Sequence, residues 1–140
     1  MATSLTFTGT LMASASLLLS SSQTTPLVIA QGGTNGSRIY SIAVSTNSTA
    51  PTLQLNLSGA FGSARISTLS VTAQSGFTAG TAIFDYFGNV VAAGIFQKQK
   101  DANGVPYFNL APSTFLTANT TGSFLAAGTT ASIFVNGEFY

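Results

Sequence analysis

The stretch Arg38–Leu57, RIYSIAVSTNSTAPTLQLNL, reads as two strands and the connection between them. In Ile39–Val44 the apolar Ile42 and Val44 share one strand face with Tyr40, and in Thr52–Leu57 the leucines at 53, 55 and 57 alternate with Gln54 and Asn56. A period of two marks strands with one covered face. Between them, Ser45–Pro51 is built of Ser, Thr, Asn and Pro, whose side chains compete for backbone hydrogen bonds and favour turns. The expectation is an antiparallel hairpin. A lone hairpin is marginal in water, so its leucines need a second sheet over them.

The chain has 140 residues, 45% of them hydrophobic, which suits one domain with a real core. Only 5% are charged, against about a quarter in ordinary soluble domains. With a net charge of +1 there is little self-repulsion, so the chain is expected to live in an assembly. Arg38, Arg65, Lys98 and Lys100 are too few to neutralise a nucleic-acid backbone, and no nucleic-acid partner is expected. No cysteine is present, which removes disulfides and thiolate metal sites. The start, MATSLTFTGTLMASASLLLSSS, carries Leu17–Leu19 but no basic n-region, and its apolar residues mostly alternate with Ser, Thr and Gly. It reads as strand and not as signal peptide. No run of about eighteen apolar residues would make a transmembrane helix, and no membrane partner is expected.

Residues 3–8 and 10–19 read as extended segments broken near Gly9. Leu27–Ala30, entered from Pro26, is a short strand, followed by the glycine-rich loop Gln31–Ser37 and, after the central hairpin, by a turn at Gly59–Ala64. The stretch holding Ile66, Leu69, Val71 and Ala73 fits a strand or a single helical turn. TAIFDYF and VVAAGIFQ flank Gly88-Asn89 and read as a second hairpin, with Phe84 or Phe87 facing the leucines of the first. Lys98–Gly104 reads as a solvated loop. Tyr107–Leu110 and Thr114–Leu116 are short strands separated by Pro112, one of them expected at an edge or bulge. Ser123–Ala127 and Ala131–Tyr140 close the chain, with Ile133 and Val135 on one face and Phe134 on the other. Many short strands without a convincing helix indicate an all-β fold, an antiparallel β-sandwich or jelly roll.

Groups that titrate or attack are scarce. There is no His or Cys, and the carboxylates are Asp85, Asp101 and Glu138. Asp85 and Glu138 would need to stand about 5 to 10 Å apart to hydrolyse a glycoside. One lies inside an expected strand and the other near the terminus, so no catalytic residue is assigned and the chain is read as a non-enzyme. Asp101-Ala-Asn103-Gly104 lacks the carboxylate-rich loop of calcium sites, and no metal or cofactor is expected. Asn-x-Ser/Thr triplets begin at Asn35, Asn47, Asn56 and Asn119, as expected by chance in so Ser/Thr-rich a chain. Tyr40, Tyr86, Tyr107 and Tyr140 fit a core or a subunit contact better than a sugar-stacking platform.

The uncharged start MATSLTFTGTLMASASLLL, the central RIYSIAVSTNSTAPTLQLNL and the closing FLAAGTTASIFVNGEF, in which a Gly-containing turn precedes a last strand, follow one another in an order that resembles the small jelly-roll structural proteins of tailed bacteriophages, the capsid decoration or cement proteins and their relatives on tails and fibres. The resemblance implies a virion protein on the capsid surface that oligomerises and binds the major capsid protein or another virion protein; a surface with so few charges is poorly protected against association, and a closed homotrimer is expected. It carries over no functional residue. An uncharged arm, residues 1–10, with Leu5 and Phe7 alternating with Ser and Thr, is the expected contact segment, able to add a strand to a neighbour's edge; the alternative is that residues 3–8 are the first strand of the chain's own sheet. The alternative is a carbohydrate-binding or adhesion module of a fibre or other surface structure.

Overall fold

The structure, a computed structural model, describes residues 10–18, 25–49, 52–89, 99–120 and 129–139. Alternation of apolar and polar residues is converted there into ten strands, β1 (Thr10–Leu18), β2 (Leu27–Gln31), β3 (Ser37–Thr46), β4 (Thr52–Gly59), β5 (Gly62–Ser70), β6 (Phe84–Asp85), β7 (Gln99–Lys100), β8 (Pro106–Leu110), β9 (Phe115–Thr120) and β10 (Ala131–Phe139), with one helical turn, α1 (Tyr86–Asn89). They build two antiparallel sheets. One has the order β1-β10-β3-β8-β7, with β6 also paired to β3, and the other the order β2-β9-β4-β5. With the two-residue strands β6 and β7 set aside, consecutive strands change sheet at every step except β4 to β5. That alternation is the jelly-roll topology, and the expected all-β sandwich is the fold.

The central stretch forms its two strands, but they are not a hairpin. β3 pairs with β10, β8 and β6, whereas β4 pairs with β5 and β9 in the opposite sheet. The polar connection is an arch across the sandwich, tied down by other loops. Asn47 Oδ1 accepts the Thr130 amide (2.7 Å), the Asn47 carbonyl accepts Gln74 Nε2 (2.6 Å), and Thr46 Oγ1 donates to the Thr130 carbonyl (2.8 Å) while accepting the Ser48 amide (3.0 Å). Strand periodicity reports a covered face, and an arch that sets two inward faces against each other satisfies it as well as a hairpin does. The tight hairpin is β4–β5, where Gly59 opposes Gly62 around Ala60-Phe61 and Gly62 takes φ +123°. The stretch after it, left between strand and helical turn, is strand as far as Ser70.

Ile39, Ile42 and Val44 of β3, Leu53 and Leu55 of β4, Leu116 and Ala118 of β9, and Ile133 and Val135 of β10 form the core between the sheets. Tyr40 does not share the face of Ile42 and Val44. The register passes from Ser41 opposite Asn136 to Ile39 opposite Gly137, so Tyr40 is the extra residue of a β-bulge, half-buried, and Ile39 enters the core in its place. Gly137 permits this, because a Cβ there would run into the Arg38 carbonyl oxygen. β4 likewise departs from one-sided burial. Gln54 and Asn56 are buried along with Leu53 and Leu55, and a ladder serves them in which Asn56 Nδ2 donates to Asn119 Oδ1 (2.8 Å) and Asn119 Nδ2 to Gln54 Oε1 (3.1 Å).

Gly88-Asn89 is not a hairpin turn. Asp85 Oδ1 accepts the Gly88 amide (2.9 Å) as an N-cap would, and the chain winds into α1 instead. Tyr86 is fully buried, its hydroxyl donating to the Leu53 carbonyl (3.0 Å) and lying 2.9 Å from Ser67 Oγ. Both Phe84 and Phe87 pack with the core cluster. The other half of that expected hairpin, residues 90–97, lies outside the described residues, as do residues 3–8 and 123–127. The expected charged loop is the turn of a β7–β8 hairpin, in which Asp101 Oδ1 accepts the amides of Asn103 (2.8 Å) and Val105 (2.9 Å). Pro112 lies in the β8–β9 turn and not in a strand; β8 is next to the edge strand β7, and β9 is interior to its sheet.

Candidate functional site

Two of the three carboxylates are engaged in shaping backbone, Asp85 at α1 and Asp101 in its turn. Asp85 stands opposite Ala43 and Glu138 opposite Arg38, on the two sides of β3. At about 3.3 Å per residue and about 4.8 Å between strands, they are roughly 15 to 20 Å apart, beyond the reach of a glycosidase pair. Among the described residues no three His, Cys, Asp or Glu side chains come together, and no helix is long and apolar enough to cross a membrane. Of the Asn-x-Ser/Thr asparagines, Asn56 and Asn119 are buried in the amide ladder and Asn47 holds the arch. Asn35 is exposed, in the β2–β3 turn.

The sheets separate the tyrosines. Tyr86 is core, Tyr140 lies outside the described residues, and Tyr40 and Tyr107 meet on the outer face of the larger sheet with ring centroids 6.1 Å apart. The Arg38 guanidinium sits over the Tyr107 ring at 4.6 Å. Around them, Tyr107 Oη donates to Gln99 Oε1 (3.1 Å), Asn109 Nδ2 donates to the same oxygen (3.3 Å), and Asn136 Nδ2 donates to Ser41 Oγ (3.2 Å). Sequence reasoning missed this cluster because the bulge at Tyr40 is what turns that ring outward. Arg38 already covers one face of Tyr107, so a ligand would meet a guanidinium edge, amides and Tyr40.

The end of the sandwich that gathers the β2–β3, β4–β5 and β8–β9 turns presents a different surface. Phe61, at the tip of the β4–β5 hairpin, is 106% exposed, as open as an isolated side chain. Beside it a cleft of about 500 Å³ is lined by Leu57, Ala64, Pro112 and Thr114, and a second of about 340 Å³ lies between Asn35 and Pro112. No ionisable side chain lines either cleft. The lining is apolar, hydroxyl and amide surface. Leu5 and Phe7, the contact residues expected from sequence, lie outside the described residues. Phe61 had a legible signal, a large aromatic between glycines at a turn.

Comparisons with protein-family models, with curated proteins and with solved structures find no match to this chain.

Proposed function

We propose that this is a non-enzymatic virion structural protein, a decoration or cement protein that self-associates and stabilises the capsid shell of a tailed bacteriophage. The observation that carries the reading is the neutral apolar end of a jelly roll, where Phe61 projects beside clefts free of ionisable groups. The scarcity of charge over the whole chain and the structural employment of Asp85 and Asp101 agree with it. The uncharged arm with Leu5 and Phe7 is a second contact in this reading. Incubating the protein with capsids lacking it and sedimenting the particles tests the proposal. Binding at a fixed ratio of copies per shell is expected, and a variant lacking residues 1–9 should keep its β-sheet circular dichroism while binding less. No co-sedimentation would refute it.

The second reading, a carbohydrate-binding or adhesion module, is favoured by the Arg38, Tyr40 and Tyr107 cluster with its rim of amides. Fold does not separate the two, because jelly rolls serve in both capsids and lectins. Glycan-array binding that disappears in Arg38→Ala would favour it.

A further inference from the structure

A sheet edge is a row of unpaired amides and carbonyls, and proteins guard their edges with charge, proline, bulges or shortness. Among the described residues, and with the two-residue β6 set aside, three of the four sheet edges are guarded. β2 is five residues long, follows Pro26 and is bulged at Ile29. β5 carries Arg65 beside a bulge at Ile66. β7 is two residues long and ends in Lys100. The fourth, β1, has none of these devices. Its nine residues, TLMASASLL, include no charge, proline or glycine, and they pair with β10 from Thr10 opposite Phe139 to Leu18 opposite Ala131 without a register break. Among the described residues no strand lies beyond it.

We infer that the free edge of β1 pairs antiparallel with β1 of a second copy across a two-fold axis, joining two β1-β10-β3-β8 sheets into one. Matching sets the occupant. An uncharged, straight strand calls for another of the same kind, and β2, β5 and β7 of a neighbouring copy are bulged, charged or too short to supply it. β1 therefore finds its match in β1, an isologous contact. Phe134, half-exposed on β10 opposite Ala15, lies one strand in from the joint and adds apolar surface beside it. This contact points to two-fold symmetry in place of the three-fold expected from sequence. It rests on the self-association in the reading above but not on capsid attachment, which the particle assay measures separately.

The absence of cysteine makes the test clean. Full overlap of two antiparallel β1 strands sets Ser14, the middle residue, against itself. Directly opposed residues have Cα atoms about 4.5 or 5.5 Å apart, inside the range of about 4.4 to 6.8 Å that a disulfide spans. Under mild oxidation of the full chain, at least one of Ala13→Cys, Ser14→Cys and Ala15→Cys is expected to give a disulfide dimer at high yield, with Ser63→Cys on β5 giving little. Ala15→Lys should weaken self-association at least tenfold by sedimentation while the folded circular dichroism persists. A monomeric or trimeric wild type, no cross-link from any of the three, or equal cross-linking from β5 would overturn the inference. If Ala15→Lys unfolds, the cross-linking pattern alone decides.

Discussion

Thr117 and Leu55 show how the two faces of one sheet differ. Leu55 points into the core and is almost fully buried, so Leu55→Ala should cost about 2 to 5 kcal/mol. Thr117, on the outward face beside the amide ladder, is also buried, yet its Oγ1 has no hydrogen-bond partner. An unpaired buried hydroxyl costs about 1 to 3 kcal/mol, and valine keeps the shape and the strand preference without it. Thr117→Val should therefore raise stability by about 1 kcal/mol in a chemical denaturation series. Destabilisation would mean that the hydroxyl is satisfied in solution. Asn119, by contrast, bonds both Gln54 and Asn56, and an apolar residue there would orphan two buried amides.

Among the elements, the β3–β4 arch shows where sequence reasoning stops. The strands 39–44 and 52–57 were legible because Tyr40, Ile42 and Val44 and then Leu53, Leu55 and Leu57 recur at every second position, β10 showed the same alternation in Ile133 and Val135, and β2 and β8 were short apolar runs bounded by proline. Which sheet each strand joins was not, since that depends on bonds from Asn47 and Thr46 to Thr130 and Gln74, residues far along the chain. The bulge at Tyr40 was hidden for a similar reason: the glycine that permits it, Gly137, sits on another strand. Gly88-Asn89 misled because the local choice was made by the Asp85 carboxylate, which caps a helical turn. Of the candidate site, the poverty of catalytic groups was readable at once, but the Arg38–Tyr107 cluster exists only through pairing of β3 with β8. If the arch is held as described, Asn47→Ala should destabilise by about 1 to 3 kcal/mol by leaving the part-buried Thr130 amide without its acceptor. Asn47→Asp keeps an oxygen there and should lose much less. Equal losses from the two would show that the amide bond is not what holds the arch.

For the whole molecule, four basic and three acidic residues in 140 leave little charge for long-range steering of a partner. A contact made by the neutral end around Phe61 would draw instead on apolar area, at about 25 cal/mol per Å² removed from water. The proposed capsid attachment then carries two expected outcomes. Raising salt from about 0.1 to about 1 M shortens the Debye length from about 10 to about 3 Å, which weakens charge-steered binding but leaves apolar contact intact, so attachment should persist. Phe61→Ser is the sharper test. Because the ring is fully exposed at a hairpin tip, removing it takes nothing from the core, and stability should move by no more than about 0.5 kcal/mol. Any fall in attachment would then belong to the contact itself, and if Phe61 is the anchor the fall should be tenfold or more, since desolvated aromatics dominate interfaces at about 2 kcal/mol or above. Undiminished attachment of Phe61→Ser, with wild-type stability, would remove this end of the sandwich from the capsid contact.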